Sequence, residues 1–204
     1  NKRNLALGAT LNKCIQISTG EYLARQDADD YSLPERFTEQ VKFLDQFQDV
    51  AAVGTYAELF DDKGNVWGIM KHPFNASIVD WLRDSCLIHP SVMMRRQPLL
   101  KVGLYRPNAV RVEDYDLWLK MIVAGYKLVT IPMLLYRYHL DFSDYRRRKF
   151  KYRLNEVQIK WRAIKQMSLP FYYYFFLLKP LLVGLLPKRL LYAYHFQKYA
   201  NNKL

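Results

Sequence analysis

Cysteine is almost missing from this chain. Its 204 residues include two, Cys14 and Cys86, far apart and without a Cys-x-x-Cys or Cys/His cluster. That pattern excludes a disulfide framework and a zinc site of ordinary spacing, and both thiols are expected to be buried in a reducing compartment. No secretory signal peptide, internal repeat or low-complexity linker is visible. The chain does not begin with Met and opens on a helix-like run, so a fragment of a longer protein is expected. Acidic residues are scarce in one region only. Residues 141–204 carry 14 Lys and Arg against 3 Asp and Glu, whereas residues 1–140 carry 17 against 16. The net charge of +12 thus belongs to a basic tail behind a nearly neutral body. Nucleic acid and an anionic membrane surface are the common partners of such a tail. No nucleic-acid motif accompanies it, so no nucleic acid is expected as a partner.

What is present begins with apolar content: half of the chain is hydrophobic, enough for a proper core and against global disorder. Two acidic stretches stand out. Glu21-Tyr-Leu-Ala-Arg-Gln-Asp-Ala-Asp-Asp30 places three carboxylates in four positions after a strand-like run. Crowded carboxylates repel one another, and a hard divalent ion shared with a substrate phosphate relieves that repulsion. Val112-Glu-Asp-Tyr-Asp-Leu-Trp-Leu-Lys120 is the second stretch and offers a carboxylate base.

Periodicity predicts a helix over 4–17, stopped near Gly20, and a short buried strand at Tyr22-Leu23-Ala24 that delivers the acidic run at its C-terminal end. Ser32-Leu-Pro-Glu35 reads as a helix start, with Phe37, Val41, Phe43, Leu44 and Phe47 facing inward. Val50–Tyr56 reads as a core strand. Asp61–Asn65 is turn-rich and reads as a hairpin loop between Leu59-Phe60 and Val66-Trp67. A helix is expected over 75–87, a loop passing into a strand over 89–94, and a helix over 113–124 ended by Gly125. Lys127–Ile131 and Leu134–Tyr138 read as two strands broken by Pro132.

The tail, residues 144–204, differs in kind from the body, residues 1–143. Arg146-Arg147-Arg148-Lys149-Phe150-Lys151-Tyr152-Arg153 is basic with interleaved aromatics, and an apolar run follows from Leu169 to Leu186. The run has roughly the length needed to span a bilayer. Lys179 and Pro180 near its middle oppose a simple span, since a mid-bilayer Lys costs about 2.5–3.5 kcal/mol. An interfacial helical pair on the cytoplasmic leaflet fits better, peripheral or monotopic at the inner membrane.

The order Gly20 to Asp30, then Leu33-Pro-Glu-Arg-Phe37, resembles glycosyltransferase family 2, inverting metal-dependent enzymes of the GT-A fold. His89-Pro-Ser-Val-Met93, Glu113-Asp-Tyr-Asp-Leu-Trp-Leu119 and Tyr136-Arg-Tyr-His139 resemble it too, in the same order, over residues 4–143. The resemblance implies an α/β Rossmann-like mixed sheet and a nucleotide-sugar donor, with UDP the family's commonest carrier. It implies a glycan or lipid-linked acceptor of the kind used in bacterial surface polysaccharide or lipopolysaccharide synthesis. Family members open with a first strand and a nucleotide-binding loop. By that pattern Asn4 falls about eighty residues into such a domain, and the first part of the nucleotide pocket is expected to be missing.

Residue by residue, the resemblance places Asp27 and Asp29 in the Asp-x-Asp motif. Asp29 would hold Mn²⁺ or Mg²⁺ against the donor diphosphate, and Asp27 would meet the ribose, or the metal through water. Asp30 reads as a cap. Asp114 matches the catalytic base, kept ionised by the helix N-terminus, with Glu113 sharing or positioning the acceptor. Asp116 reads as structural, and Leu117, Trp118 and Met121 as core. His139 stands where related GT-A enzymes can supply a metal ligand or a contact to the diphosphate, Arg137 could instead meet the diphosphate, and His89 matches a position near the acceptor pocket. His72 and His195 read as unremarkable. The competing readings are a solvated acidic turn at 27–30, acids that only stabilise a helix start at 113–114, and ordinary histidines. A phosphoryl-transfer Asp-x-Asp of the haloacid dehalogenase type fits poorly, because Arg25-Gln26 precede it and Asp30-Tyr31-Ser32 follow. An inactive truncated transferase serving as a membrane- or nucleic-acid-binding module is the remaining alternative.

Overall fold

A computed structural model describes residues 5–141 and 149–202. In the body the elements run α1 (Leu7–Ile17), β1 (Tyr22–Ala24), β2 (Tyr31–Ser32), α2 (Arg36–Gln46), β3 (Val50–Phe60), β4 (Val66–Met70), α3 (Ile78–Arg83), β5 (Met93–Arg95), α4 (Arg96–Lys101), α5 (Glu113–Val123) and β6 (Lys127–His139). The tail adds α6 (Phe150–Gln166), a 3-10 segment (Phe171–Leu177), α7 (Leu178–Leu185) and α8 (Lys188–Ala200). Arg146, Arg147, Arg148 and the expected boundary between 143 and 144 lie outside the described residues.

The sheet is mixed and ordered β1-β5-β3-β6-β2, with β4 also on β3. Only β3 and β6 are parallel; the remaining pairs are antiparallel. Alternation along these two strands splits their side chains between two layers. Val50, Val53, Val129, Ile131 and Leu135 pack with Leu44 of α2 on one face. Ala52 and Leu128 pack on the other face with Ile15, Trp81, Trp118 and Ile159 from α1, α3, α5 and α6. Leu117, Trp118 and Met121 are fully buried, as their helical spacing indicates. Gly125 takes the left-handed conformation (φ 83°) and ends the α5 segment, since a residue with a Cβ is strained there.

Several expectations need correction. β1 is an edge strand whose residues are half-buried or exposed, because only β5 covers it. The helix expected from Ser32 begins at Arg36; Ser32 is spent in β2. Phe37 and Phe47 are exposed, and the line buried on α2 is Arg36, Gln40 and Leu44. The helix expected over 75–87 shortens to Ile78–Arg83, opened by a capping box between Ser77 and Asp80. Pro132 does not break a strand. β6 is continuous, and its register against β3 shifts between Thr55↔Ile131 and Tyr56↔Leu134, so Pro132 and Met133 are bulged out where no ladder N–H is required. Cys14 is exposed rather than buried, while Cys86 is buried and burial pushes its thiol up to about 12.

The tail packs back onto the body. Ile159 and Ala163 of α6 join the core around Trp118, and Leu191 and Tyr199 of α8 pack with Leu59 and Trp67. A Cβ on Gly68 would come within 2.9 Å of the Tyr199 backbone, so this glycine lets α8 approach β4. Among the described residues no helix is long and apolar enough to cross a membrane.

Candidate active site

The acidic run forms the loop between β1 and β2, and buried polar groups hold it. Arg36 has no exposed surface. Its guanidinium donates to Gln40 Oε1 (3.1 Å), Gln26 Oε1 (3.2 Å), Ser32 Oγ (2.7 Å) and the Arg25 carbonyl (2.7 Å). Burial nevertheless pushes the guanidinium pKa down to about 10. Gln40 then donates to the carbonyls of Val53 and Ser91 at 2.9 and 2.8 Å. Asp30 is not a cap. It is buried and accepts from the Tyr136 hydroxyl (2.9 Å) and the His139 amide (2.7 Å), which ties the loop to β6. Burial pushes its carboxyl up to about 6 in spite of those two bonds.

With the loop fixed, Asp27 faces a cavity of about 440 Å³ that Arg25, His89, Glu113, Asp114 and Tyr138 also line. Arg25 Nη2 pairs with Asp27 Oδ1 at 2.6 Å. Arg25 is 8% exposed, and its Nε and Nη1 have no hydrogen-bond partner among the described residues. A second cavity of about 380 Å³ shares His89, Asp114 and Tyr138 and reaches His72 and His195. His72 is therefore not unremarkable in position; burial pushes its pKa down to about 4.

Asp114 is the second residue of α5. The helix N-terminus was expected to favour its ionised form, but burial and the neighbouring Glu113 outweigh the local amides and Arg25 and push its pKa up to about 6. That value suits a base working near neutrality, ionised yet with useful proton affinity. His89 is buried, its Nε2 stands 2.8 Å from the Tyr105 hydroxyl, and its ring meets Trp118 edge-on at 5.6 Å. Burial holds its pKa well below the usual histidine range, so the ring is neutral. Asp116 is buried and paired with Arg106 at 2.7 Å, a structural contact.

The remaining expected residues lie outside that cavity's lining. Asp29 Oδ2 approaches His139 Nδ1 at 3.8 Å, and His139 Nε2 meets Asp62 Oδ1 at 2.8 Å. Among the described residues no group of three His, Cys, Asp or Glu side chains is placed to hold a metal ion. Two ligands can suffice: hard octahedral ions are commonly held by one or two protein groups and completed by phosphate and water. Asp29, with 71% of its side chain exposed, has oxygens open to such sharing, so the Asp29–His139 pair fits a partial shell. Arg137 pairs with Glu58 at 3.1 Å and lies over the Phe60 ring. Strand alternation puts it on the face opposite Tyr136 and Tyr138, away from the cavity rather than toward it.

Sequence reasoning missed Arg25, Asp62, Tyr136 and the contribution of α6, whose first turns bring Tyr152 and Arg153 to the cavity. A signal existed for Asp62. It stands in the hairpin loop, where Asp61 alone accepts the turn amides of Lys63 and Asn65, leaving Asp62 for other work.

A mixed sheet between helical layers, with an acidic loop and a carboxylate-bearing helix N-terminus turned to one cavity, is the GT-A fold of nucleotide-sugar transferases. The chain belongs to glycosyl transferase family 2, whose family model matches residues 1–103. EpsE of Bacillus subtilis, provisionally assigned as a glycosyltransferase, is 32% identical over 205 residues, covering 100% of this chain and 73% of EpsE. The Escherichia coli UDP-Gal:α-D-GlcNAc-diphosphoundecaprenol β-1,3-galactosyltransferase is 28% identical across 78% of this chain and 59% of its own length. The crystal structure of GalNAc-T7 with UDP, GalNAc and Mn²⁺ superimposes with a TM-score of 0.62 at 15% identity, over 88% of this chain and 42% of that one. The chain spans less than two thirds of the latter two proteins.

Proposed function

We propose that this protein is an inverting, metal-assisted transferase that moves a sugar from a nucleotide-sugar, with UDP the expected carrier, to a hydroxyl of a glycan or lipid-linked acceptor during bacterial surface polysaccharide assembly. The observation that carries the reading is the meeting of Asp27 and Asp114, from two separate elements, at one cavity. The UDP and lipid-diphosphate parts rest on the galactosyltransferase relative, whose printed name contains both.

In this reading the acceptor hydroxyl lies against Asp114. The carboxylate takes its proton as the oxygen attacks the anomeric carbon, and the bond from that carbon to the diphosphate oxygen breaks on the opposite face. Arg25 pairs with the Asp27 carboxylate and orients it at the cavity. His89, neutral and pinned by Tyr105, offers a hydrogen bond without adding charge next to the base. A divalent ion held by Asp29 and His139 would offset the charge developing on the departing nucleoside diphosphate.

The test is turnover of a panel of nucleotide sugars with and without Mn²⁺, using the protein as its gene encodes it beside Asp29→Ala and Asp114→Asn. One donor consumed only with Mn²⁺, and by neither variant, supports the proposal. Full activity in Asp114→Asn removes the base. Absence of any turnover, with nucleotide binding indifferent to Mn²⁺ and to Asp29→Ala, removes the donor site.

A further inference from the structure

The apolar run of the tail contains a single charge, Lys179, and its position decides what the run can do. Lys179 turns toward the body, where its Nζ donates to the Arg83 carbonyl at 2.5 Å and to Asp84 Oδ2 at 3.2 Å. Pro180 beside it is buried. The outward side of residues 171–186 is therefore left without charge.

What that side presents is large and apolar. None of the seven residues Phe171–Leu177 is buried. Phe171 is 80% exposed, Phe175 67%, Leu178 51%, Leu182 64% and Leu185 73%. From Phe175 onward these positions recur at intervals of three and four, the spacing of one helical face. A contiguous apolar face of this kind marks an interaction site.

Charge identifies the occupant. Residues 149–202 contain ten Lys and Arg and one acid, Glu156. Glu156 is paired with Arg153 and Lys160 at 2.9 and 2.8 Å, and ten cations against one acid leave these residues at a net +9. Lys165 and Arg189, which flank the run in sequence, are both exposed. Bulky aromatics and leucines flanked by cations fit an interface of lipid headgroups and acyl chains, whereas a second copy would bring the same positive charge against itself.

We infer that residues 171–186 form a monotopic docking face for an anionic lipid bilayer, lying in the headgroup region rather than crossing it. The same tail carries α6, whose Tyr152 and Arg153 line the cavity beside Asp114. Docking through 171–186 thus couples the membrane surface to the cavity through one helix.

The experiment is vesicle flotation of the natural protein, comparing phosphatidylcholine vesicles with vesicles that also contain phosphatidylglycerol. It uses Phe175→Glu/Leu182→Glu/Leu185→Glu as the variant, and light scattering for size. Binding that requires the anionic lipid, weakens with salt and falls about a hundredfold or more in the variant supports the inference, provided thermal unfolding of the variant matches the parent. Failure of the parent to float, or equal flotation of parent and variant, overturns it. So does a parent that is dimeric, ignores vesicles and becomes monomeric in the variant, since a second copy then covers the face. Because flotation reads no turnover, it can fail while the transferase reading stands, and the reverse.

Discussion

The loop at 25–32 and the run at 171–186 invert each other. At the loop, charged groups are inside: Asp30, and Arg36 of α2 that holds the loop, are buried and bonded to neighbouring side chains, carbonyls and amides. In the run, apolar groups are outside and the one charge points in. Residue type alone therefore does not decide burial; the partners available do. A buried charge is tolerable when its hydrogen bonds are made; Asp30 and Arg36 make theirs within the chain, and Arg25 is paired with Asp27. An exposed aromatic face gains nothing from water, and the run finds its complement only outside the chain. Function divides the same way, with chemistry placed where polar groups are pinned and docking where apolar groups are left over.

The largest expected effect breaks the chemical half alone. Asp114→Asn keeps the shape of the side chain and removes the base, so turnover should fall by about 10²–10⁴, or roughly 3–5 kcal/mol of barrier. Unfolding temperature and vesicle flotation should not move. A variant that retains more than a tenth of the activity would show that the proton leaves by another route.

Next comes a matched pair of substitutions. Arg36→Ala strands the Arg25 carbonyl and Gln40, and breaking that buried network should cost about 3 kcal/mol. For a chain of this size that is a fall of about 6–12 °C in unfolding temperature. Phe175→Ser should stay within about 0.5 kcal/mol, because the ring is already 67% exposed. Equal losses in a melting experiment would mean that the run is packed after all.

A smaller effect is a shift in pH dependence. The raised pKa of Asp114, about 6, places the acid limb of kcat/KM near that value: activity is lost as pH falls and the carboxylate takes a proton. Glu113 contributes to the elevation, so Glu113→Gln should move the limb to lower pH and leave the plateau less changed. A limb that stays in place assigns the titration to another group. Asp30, also raised to about 6, acts on stability with the opposite sign to a salt-bridged acid. Between its unfolded value and about 6 the folded state holds more protons, so its contribution declines as pH rises through that window.

Much of the arrangement was legible beforehand. The helix at 113–123, the hairpin closed by Asp61–Asn65 and the strand from Val50 follow from periodicity and turn chemistry, which act locally. The family motifs located Asp27, His89 and Asp114 together at one cavity. What was not legible depends on contacts distant in sequence. A hydrophobic count of α2 selects Phe37 and overlooks Arg36 and Gln40, because their partners, on the 25–32 loop, at Val53 and at Ser91, are brought to them only by folding. Pro132 looks like a break until β3 shows that the ladder steps around it. Arg137 looks like a phosphate ligand until Glu58 on the neighbouring strand claims it. Lys179 looks like an obstacle to lipid contact until Arg83 and Asp84 are found to hold it inward.

That last point yields the smallest effect and the sharpest test of the comparison. Lys179→Met removes an ion pair whose side chains are 39% and 69% exposed, so stability should change by less than about 1 kcal/mol. If Lys179 met lipid, its loss would weaken binding to anionic vesicles by about 1 kcal/mol, roughly fivefold. Held inward, it should leave vesicle affinity unchanged within twofold. Arg189→Met, at an exposed position bordering the run, should show the fivefold loss instead. The two substitutions remove the same unit of charge about ten residues apart, so a difference between them reads the direction of the side chain, not the net charge. If both weaken binding alike, the field of the whole tail governs docking and the inward turn of Lys179 is incidental; if only Arg189→Met does, the uncharged outward face is the surface that meets the bilayer.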